Sequence, residues 1–135
     1  TSGATPLYVA AWSGHSETAK LLLAHGASVD AALTSGATPL HSAAENGHIE
    51  TAKLLLAHGA SVDAALTSGA TPLYVAAWSG HSETAKLLLA HGASVDAACN
   101  DGATPLHIAA ENGHIETAKL LLAHGASVDA PCDDG

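Results

Sequence analysis

A segment of 33 residues, Thr1 to Leu33, returns almost unchanged from Thr34, from Thr67 and from Asn100. Such a chain has no single centre to fold around. Each unit must bury its apolar face against its neighbours, so the expected architecture is a linear stack and function belongs on a long surface. Units one and three differ only at Leu33 against Cys99. Unit two departs from unit one at five places, where His41, Ser42, Glu45, Asn46 and Ile49 replace Tyr8, Val9, Trp12, Ser13 and Ser16. Unit four keeps four of those five and has Ile108 in place of Ser42, so the true period is 66 residues in an A-B-A-B order. We expect one domain over 1–135, with units 1–33, 34–66, 67–99 and 100–132, and with 133–135 opening a truncated fifth unit. Because the sequence opens on Thr1 and not on Met, it is expected to be part of a longer chain.

Charge narrows the partners. The only cations besides histidine are Lys20, Lys53, Lys86 and Lys119, set against 13 acidic residues for a net charge of −9. Phosphate backbones need clustered Lys and Arg, so nucleic acid is not expected as a partner. No apolar run approaches the roughly 20 residues that cross a bilayer, and no membrane role is expected. Cys99 and Cys132 stand one unit apart. Helices packed at about 8–10 Å hold equivalent Cα atoms beyond the roughly 7 Å that a disulfide tolerates. Two free thiols follow, with a cytoplasmic, reducing location or a recombinant origin.

Each unit reads as helix, turn, helix, long turn. Thr5-Pro6 is a start signal, the hydroxyl capping a free N–H and Pro suiting the first helical position. Gly14 ends this first helix in a left-handed conformation. A second helix begins at about His15 or Ser16, pairs Glu17 with Lys20 on its wet face, buries Ala19, Leu22 and Leu23, and closes at Gly26. From Ala27 to Gly36 no helical period survives, which predicts an extended finger with a tight turn.

Gly3-Ala4-Thr5-Pro6-Leu7-Tyr8, Ala10-Ala11, Gly14-His15, Leu22-Leu23 and Gly26-Ala27 resemble the ankyrin repeat over the whole chain. Units two and four carry the Thr-Pro-Leu-His signature intact, at Thr38–His41 and Thr104–His107. The resemblance implies an all-α solenoid of stacked helix-turn-helix units with projecting β-turn fingers, a binding scaffold whose contacts come from the finger tips and the exposed end of the first helix. Ala19, Ala52, Ala85 and Ala118 are smaller than the family's usual β-branched residue there, implying closer stacking or lower stability. The hydroxyl of Ser42 must either bond a helix carbonyl or cost stability.

The contact positions implied are Tyr8, Trp12 and Ser13 in unit one, and Tyr74, Trp78 and Ser79 in unit three. Units two and four supply His41, Glu45 and Asn46, and His107, Glu111 and Asn112. Ser35, Ser68, Asn100 and Asp101 stand at the finger tips, with Thr1 and Ser2 on the first finger. Tyr8 with Trp12, and Tyr74 with Trp78, are i,i+4 neighbours and can each form one aromatic patch, the two patches about 20 Å apart. Aromatics of this kind anchor interfaces; alternatively each Trp lies flat over the stem of Glu45 or Glu111. Asn100-Asp101 suits either a basic partner or plain turn chemistry before Gly102.

The His residues at 15, 48, 81 and 114, and those at 25, 58, 91 and 124, recur once per unit, about 10 Å apart. Zinc needs three or four ligands converging at about 2 Å, so no metal site is expected and these rows read as structural or capping residues. No phosphate loop, nucleophile elbow or His-Glu-x-x-His helix is present, and neither an enzyme nor a cofactor is expected. The expected function is a non-enzymatic scaffold binding a partner protein through its helix-one and finger surface. The other reading is an engineered, consensus-type or uncapped array, serving as a folding or assembly model without a ligand and able to stack head to tail through its uncapped ends.

Overall fold

The computed structural model describes residues 3–132. The expected tip at Thr1 and Ser2 and the expected start of a fifth unit at 133–135 lie outside the described residues. Among the described residues there are eight α-helices and no strands: α1 (Pro6–Ser13), α2 (Ser16–Ala24), α3 (Pro39–Asn46), α4 (Ile49–Ala57), α5 (Pro72–Ser79), α6 (Ser82–Ala90), α7 (Pro105–Glu111) and α8 (Ile115–Ala123). Odd-numbered helices pack side by side in one row and even-numbered helices in a second, with each unit's two helices against each other. This is the expected all-α stack of helix-turn-helix units.

Local chemistry sets the helix ends. The Thr5 hydroxyl accepts from the Tyr8 N–H at 3.1 Å, and Thr71 does the same for Tyr74 at 3.2 Å. Pro stands at the first helical position in all four first helices. The second helices end at a histidine whose Nδ1–H donates back to the carbonyl four residues earlier, as His58 does to Leu54 at 3.1 Å. The expected Glu17–Lys20 pair does not form, whereas its counterparts in the B-type units do, Glu50–Lys53 at 3.4 Å and Glu116–Lys119 at 3.6 Å.

The core is Leu and Ala. Leu40, Leu55, Leu73, Leu88 and Leu121 are fully buried, each worth about 1.5–3 kcal/mol of transfer free energy. Ala43, Ala44, Ala76 and Ala77 let the first helices approach closely, and Ala19, Ala52 and Ala85 are wholly covered despite their size. Ala118, at the same place in the last unit, is only partly buried. Ser42 resolves its alternative by donating to the Pro39 carbonyl at 2.9 Å.

Thr51 Oγ1 is buried without a partner, alone in this among the described residues. An unpaired buried hydroxyl costs about 1–3 kcal/mol, part of it recovered by an isosteric methyl. Thr51→Val should raise stability by about 1 kcal/mol, seen as a higher urea midpoint at constant m-value. A lower midpoint would show that the hydroxyl is satisfied after all.

Polar bonds across each junction fix the register of the stack. His48 Nε2–H donates to the Trp12 carbonyl at 3.0 Å, His81 to Glu45 at 3.1 Å and His114 to Trp78 at 3.0 Å. The Asp30 carboxylate accepts from the Ser61 N–H at 3.1 Å, and Asp63 and Asp96 repeat this with Ser94 and Ser127. His48, His81 and His114 are thus structural, and the aspartates Asp30, Asp63 and Asp96 are structural beside them.

Candidate functional site

The fingers are three-residue loops. Around Thr34-Ser35-Gly36, Gly36 N–H donates to Leu33 O and Leu33 N–H to Ala37 O, both at 2.9 Å. Gly36 has φ 89°, the left-handed residue that such a loop needs after its turn. Neighbouring fingers are tied together: Thr67 N–H donates to Ser35 O at 2.9 Å and Asn100 N–H to Ser68 O at 2.8 Å. The Asn100 side-chain amide adds a bond to Thr67 O at 2.9 Å. A short platform results, each finger leading directly into the N-terminus of a first helix, with Ser35, Ser68, Asn100 and Asp101 exposed along it.

Trp12 is 45% exposed and Trp78 57% exposed, so neither indole is folded away under a neighbouring unit. Tyr74 and Trp78 meet with ring centroids 6.5 Å apart and planes inclined by 59°, within the range of favourable tilted pairs. Among the described residues this is the one aromatic pair, and the matching patch expected from Tyr8 and Trp12 does not form. The surroundings differ. Tyr74 lies against Cys99, where unit one has Leu33, and Tyr8 lies near Glu45.

His41 must be withdrawn from the expected contact set. It is 3% exposed, and both ring nitrogens are occupied. Thr38 N–H donates to Nδ1 at 3.1 Å, which leaves the proton on Nε2 to donate to Ala70 O in the next unit at 3.0 Å. His107 repeats the local half of this, accepting from Thr104 N–H at 2.9 Å, and is only partly buried. Asn46 and Asn112 are also committed within the chain, donating to the carbonyls of Trp12 at 2.8 Å and Trp78 at 3.1 Å.

Glu45 and Glu111 are exposed, and among the described residues neither has an ion-pair partner. Asp101 accepts from the Ala103 N–H at 3.0 Å, so the turn chemistry expected of it is present, with the carboxylate still at the surface. Ser13 stays exposed and Ser79 half-buried.

One groove of about 530 Å³ draws several of these residues together. Glu45, Ser68, Tyr74, Trp78, Ser79, Asn100 and Asp101 line it, with Ala70 of the same finger tip as Ser68, and with Leu66, Val75 and Cys99, which the sequence does not mark as contacts. Burial, then the neighbouring Cys99, Asp101 and Glu111, push the Tyr74 hydroxyl up to about 12. Burial likewise raises the Cys99 thiol, with Asp101 adding to it and the Tyr74 hydroxyl opposing, so this cysteine stays a protonated, weakly nucleophilic wall. Among the described residues no three His, Cys, Asp or Glu side chains converge to hold a metal ion, and no helix is long and apolar enough to cross a membrane.

A family model for ankyrin repeats in three copies matches residues 1–65 and again residues 62–132. No curated protein matches the chain.

Proposed function

Because the chain belongs to the ankyrin-repeat family, whose repeats are in general protein–protein interaction modules, we propose that it is a non-enzymatic scaffold. It binds a protein partner through the face formed by α1, α3, α5, α7 and the fingers. The observation that carries this reading is the exposed Trp78 beside Tyr74 in the acidic groove, since exposed aromatics in clefts supply most interface energy. The opposite face, made by the second helices, carries the lysines and short Glu–Lys pairs that usually serve only as a solvated surface. The free thiols of Cys99 and Cys132 fit a reducing compartment.

Peptides selected against the array from a random display library would locate the binding face. Trp78→Ala with Trp12→Ala should weaken them at least about tenfold, roughly 1.4 kcal/mol, and Lys86→Glu on α6 should leave them unchanged. Binders sensitive to Lys86 and indifferent to both tryptophans would overturn the assignment.

A second reading rests on the ends of the stack. Val9 and Leu21 are 54% and 59% exposed at one end, and Leu122 and Val128 are 45% and 73% exposed at the other. Covering such faces with a second copy repeats the internal junction and makes a heterologous, open-ended contact. Light scattering over a concentration series tests it: association abolished by Leu21→Lys supports stacking, and a concentration-independent monomer rules it out.

A further inference from the structure

We propose that the groove between the second and third units is a receptor for a basic side chain, arginine above all, presented by the partner polypeptide. This deepens the binding reading above and rests on it. The groove is apolar below and acidic at its rim. Leu66 and Val75 supply surface for an aliphatic stem, and the tilted Tyr74–Trp78 pair supplies an exposed π face. Glu45 enters from the unit before and Asp101 from the finger after, so carboxylates reach the groove from both flanking units.

No Lys lines the groove, since all four lysines of the chain lie on the second helices. The acidic rim therefore lacks an internal counter-ion. A guanidinium answers each element at once: it stacks on an indole, bonds a carboxylate through two N–H groups, and sheds its hydration more readily than an ammonium. A neutral apolar chain would leave the carboxylates unanswered, and an acidic one would be repelled.

The alternating sequence explains why the site occurs once. It needs an A-type unit for Tyr74 and Trp78, a B-type unit before it for Glu45, and the Asn100-Asp101 finger after it. Unit one has the aromatics, but its following finger carries Thr34-Ser35 and its neighbour there is Leu33.

The test uses Nα-acetyl-arginine amide titrated into the whole isotope-labelled chain, with the two indole N–H resonances as reporters. The Trp78 signal should shift saturably and the Trp12 signal far less. The norleucine amide, which keeps the stem and lacks the charge, should not saturate. Glu45→Gln with Asp101→Asn removes both charges while keeping the Asp101 acceptor for Ala103, and should weaken arginine at least tenfold with the helical spectrum intact. A silent Trp78, equal binding of the norleucine amide, or an unaffected double variant overturns the proposal. Because the amide requires no partner, this outcome is separate from that of the peptide selection, which tests the face itself.

Discussion

Gly47→Val should destabilise the array by about 3 kcal/mol, and the matched Gly113→Val by only about half as much. Both glycines end a first helix in the left-handed region, at φ 70° and φ 71°. A β-branched residue there costs roughly 1–2 kcal/mol from the backbone alone. What differs is the space beyond. A Cβ on Gly47 would lie 2.8 Å from ring atoms of His81, and a Cβ on Gly113 meets nothing within 4 Å. At Gly47 the imidazole must therefore move and give up its 3.1 Å bond to the Glu45 carbonyl, worth about 1 kcal/mol. Urea denaturation of the two variants measures the difference directly. Adding His81→Ala to each completes the comparison: the excess cost at Gly47 should shrink when the ring is gone. Equal losses at both glycines, unchanged by His81→Ala, would remove the ring contact from the account of this junction.

The Gly47–His81 contact joins two units, beyond the one-turn reach of local sequence signals. Thr5-Pro6 and Gly14 announce the ends of a helix because caps act within one turn of chain, and those signals were legible. The contacts that join units span 29 to 36 residues, as between His41 and Ala70 or His48 and Trp12. In a repeating sequence every position has a copy one period away, so periodicity alone does not say which groups meet. Asp30 carries no local signal for this reason, although its carboxylate accepts the Ser61 N–H. His41 is ambiguous in the sequence for the same reason. Its position in unit two matches Tyr8 in unit one, which suggested a variable surface residue, but its ring faces inward to bridge two units.

The candidate face was legible to a similar depth. Trp78 and Asp101 could be named because exposed aromatics and an altered finger tip stand out against an otherwise constant repeat. The groove that unites them with Leu66 and Val75 could not, since it depends on how units two, three and four stack. The alternation that looks decorative in the sequence thus has two structural readings. His41 binds inward across a junction, His107 pairs only with its own cap at Thr104, and Trp12 and Trp78 stay outward, so in unit two the exchange at one position turns a half-exposed residue into a junction.

His41→Ala should cost about 3 kcal/mol at pH 7.5, and this loss should diminish as pH falls toward 5. Removing the ring unpairs the Thr38 N–H, takes from the Ala70 carbonyl the donor that crosses the junction while leaving it the Leu66 N–H, and empties a fully packed place. The pH dependence follows from the proton count. Burial holds the His41 pKa below its ordinary 6.5, although the Ala70 and Ala64 backbone groups pull the other way. Its Nδ1 accepts the Thr38 N–H, so a proton there must displace that bond. The unfolded chain takes up this proton at about 6.5 and the folded chain only at lower pH. Stability from His41 is therefore complete above 6.5 and drains away as pH falls through the folded value, at no more than about 1.4 kcal/mol per pH unit. The Ala variant has no such proton to take up, so the gap between the two proteins must narrow in acid. His107→Ala provides the scale for the inter-unit bond: it removes only the local pairing with Thr104 and should cost about 1 kcal/mol. Urea midpoints at pH 7.5 and pH 5 decide the matter. A gap for His41→Ala that stays constant or widens in acid would show that this histidine is not the neutral, inward-facing bridge between units two and three.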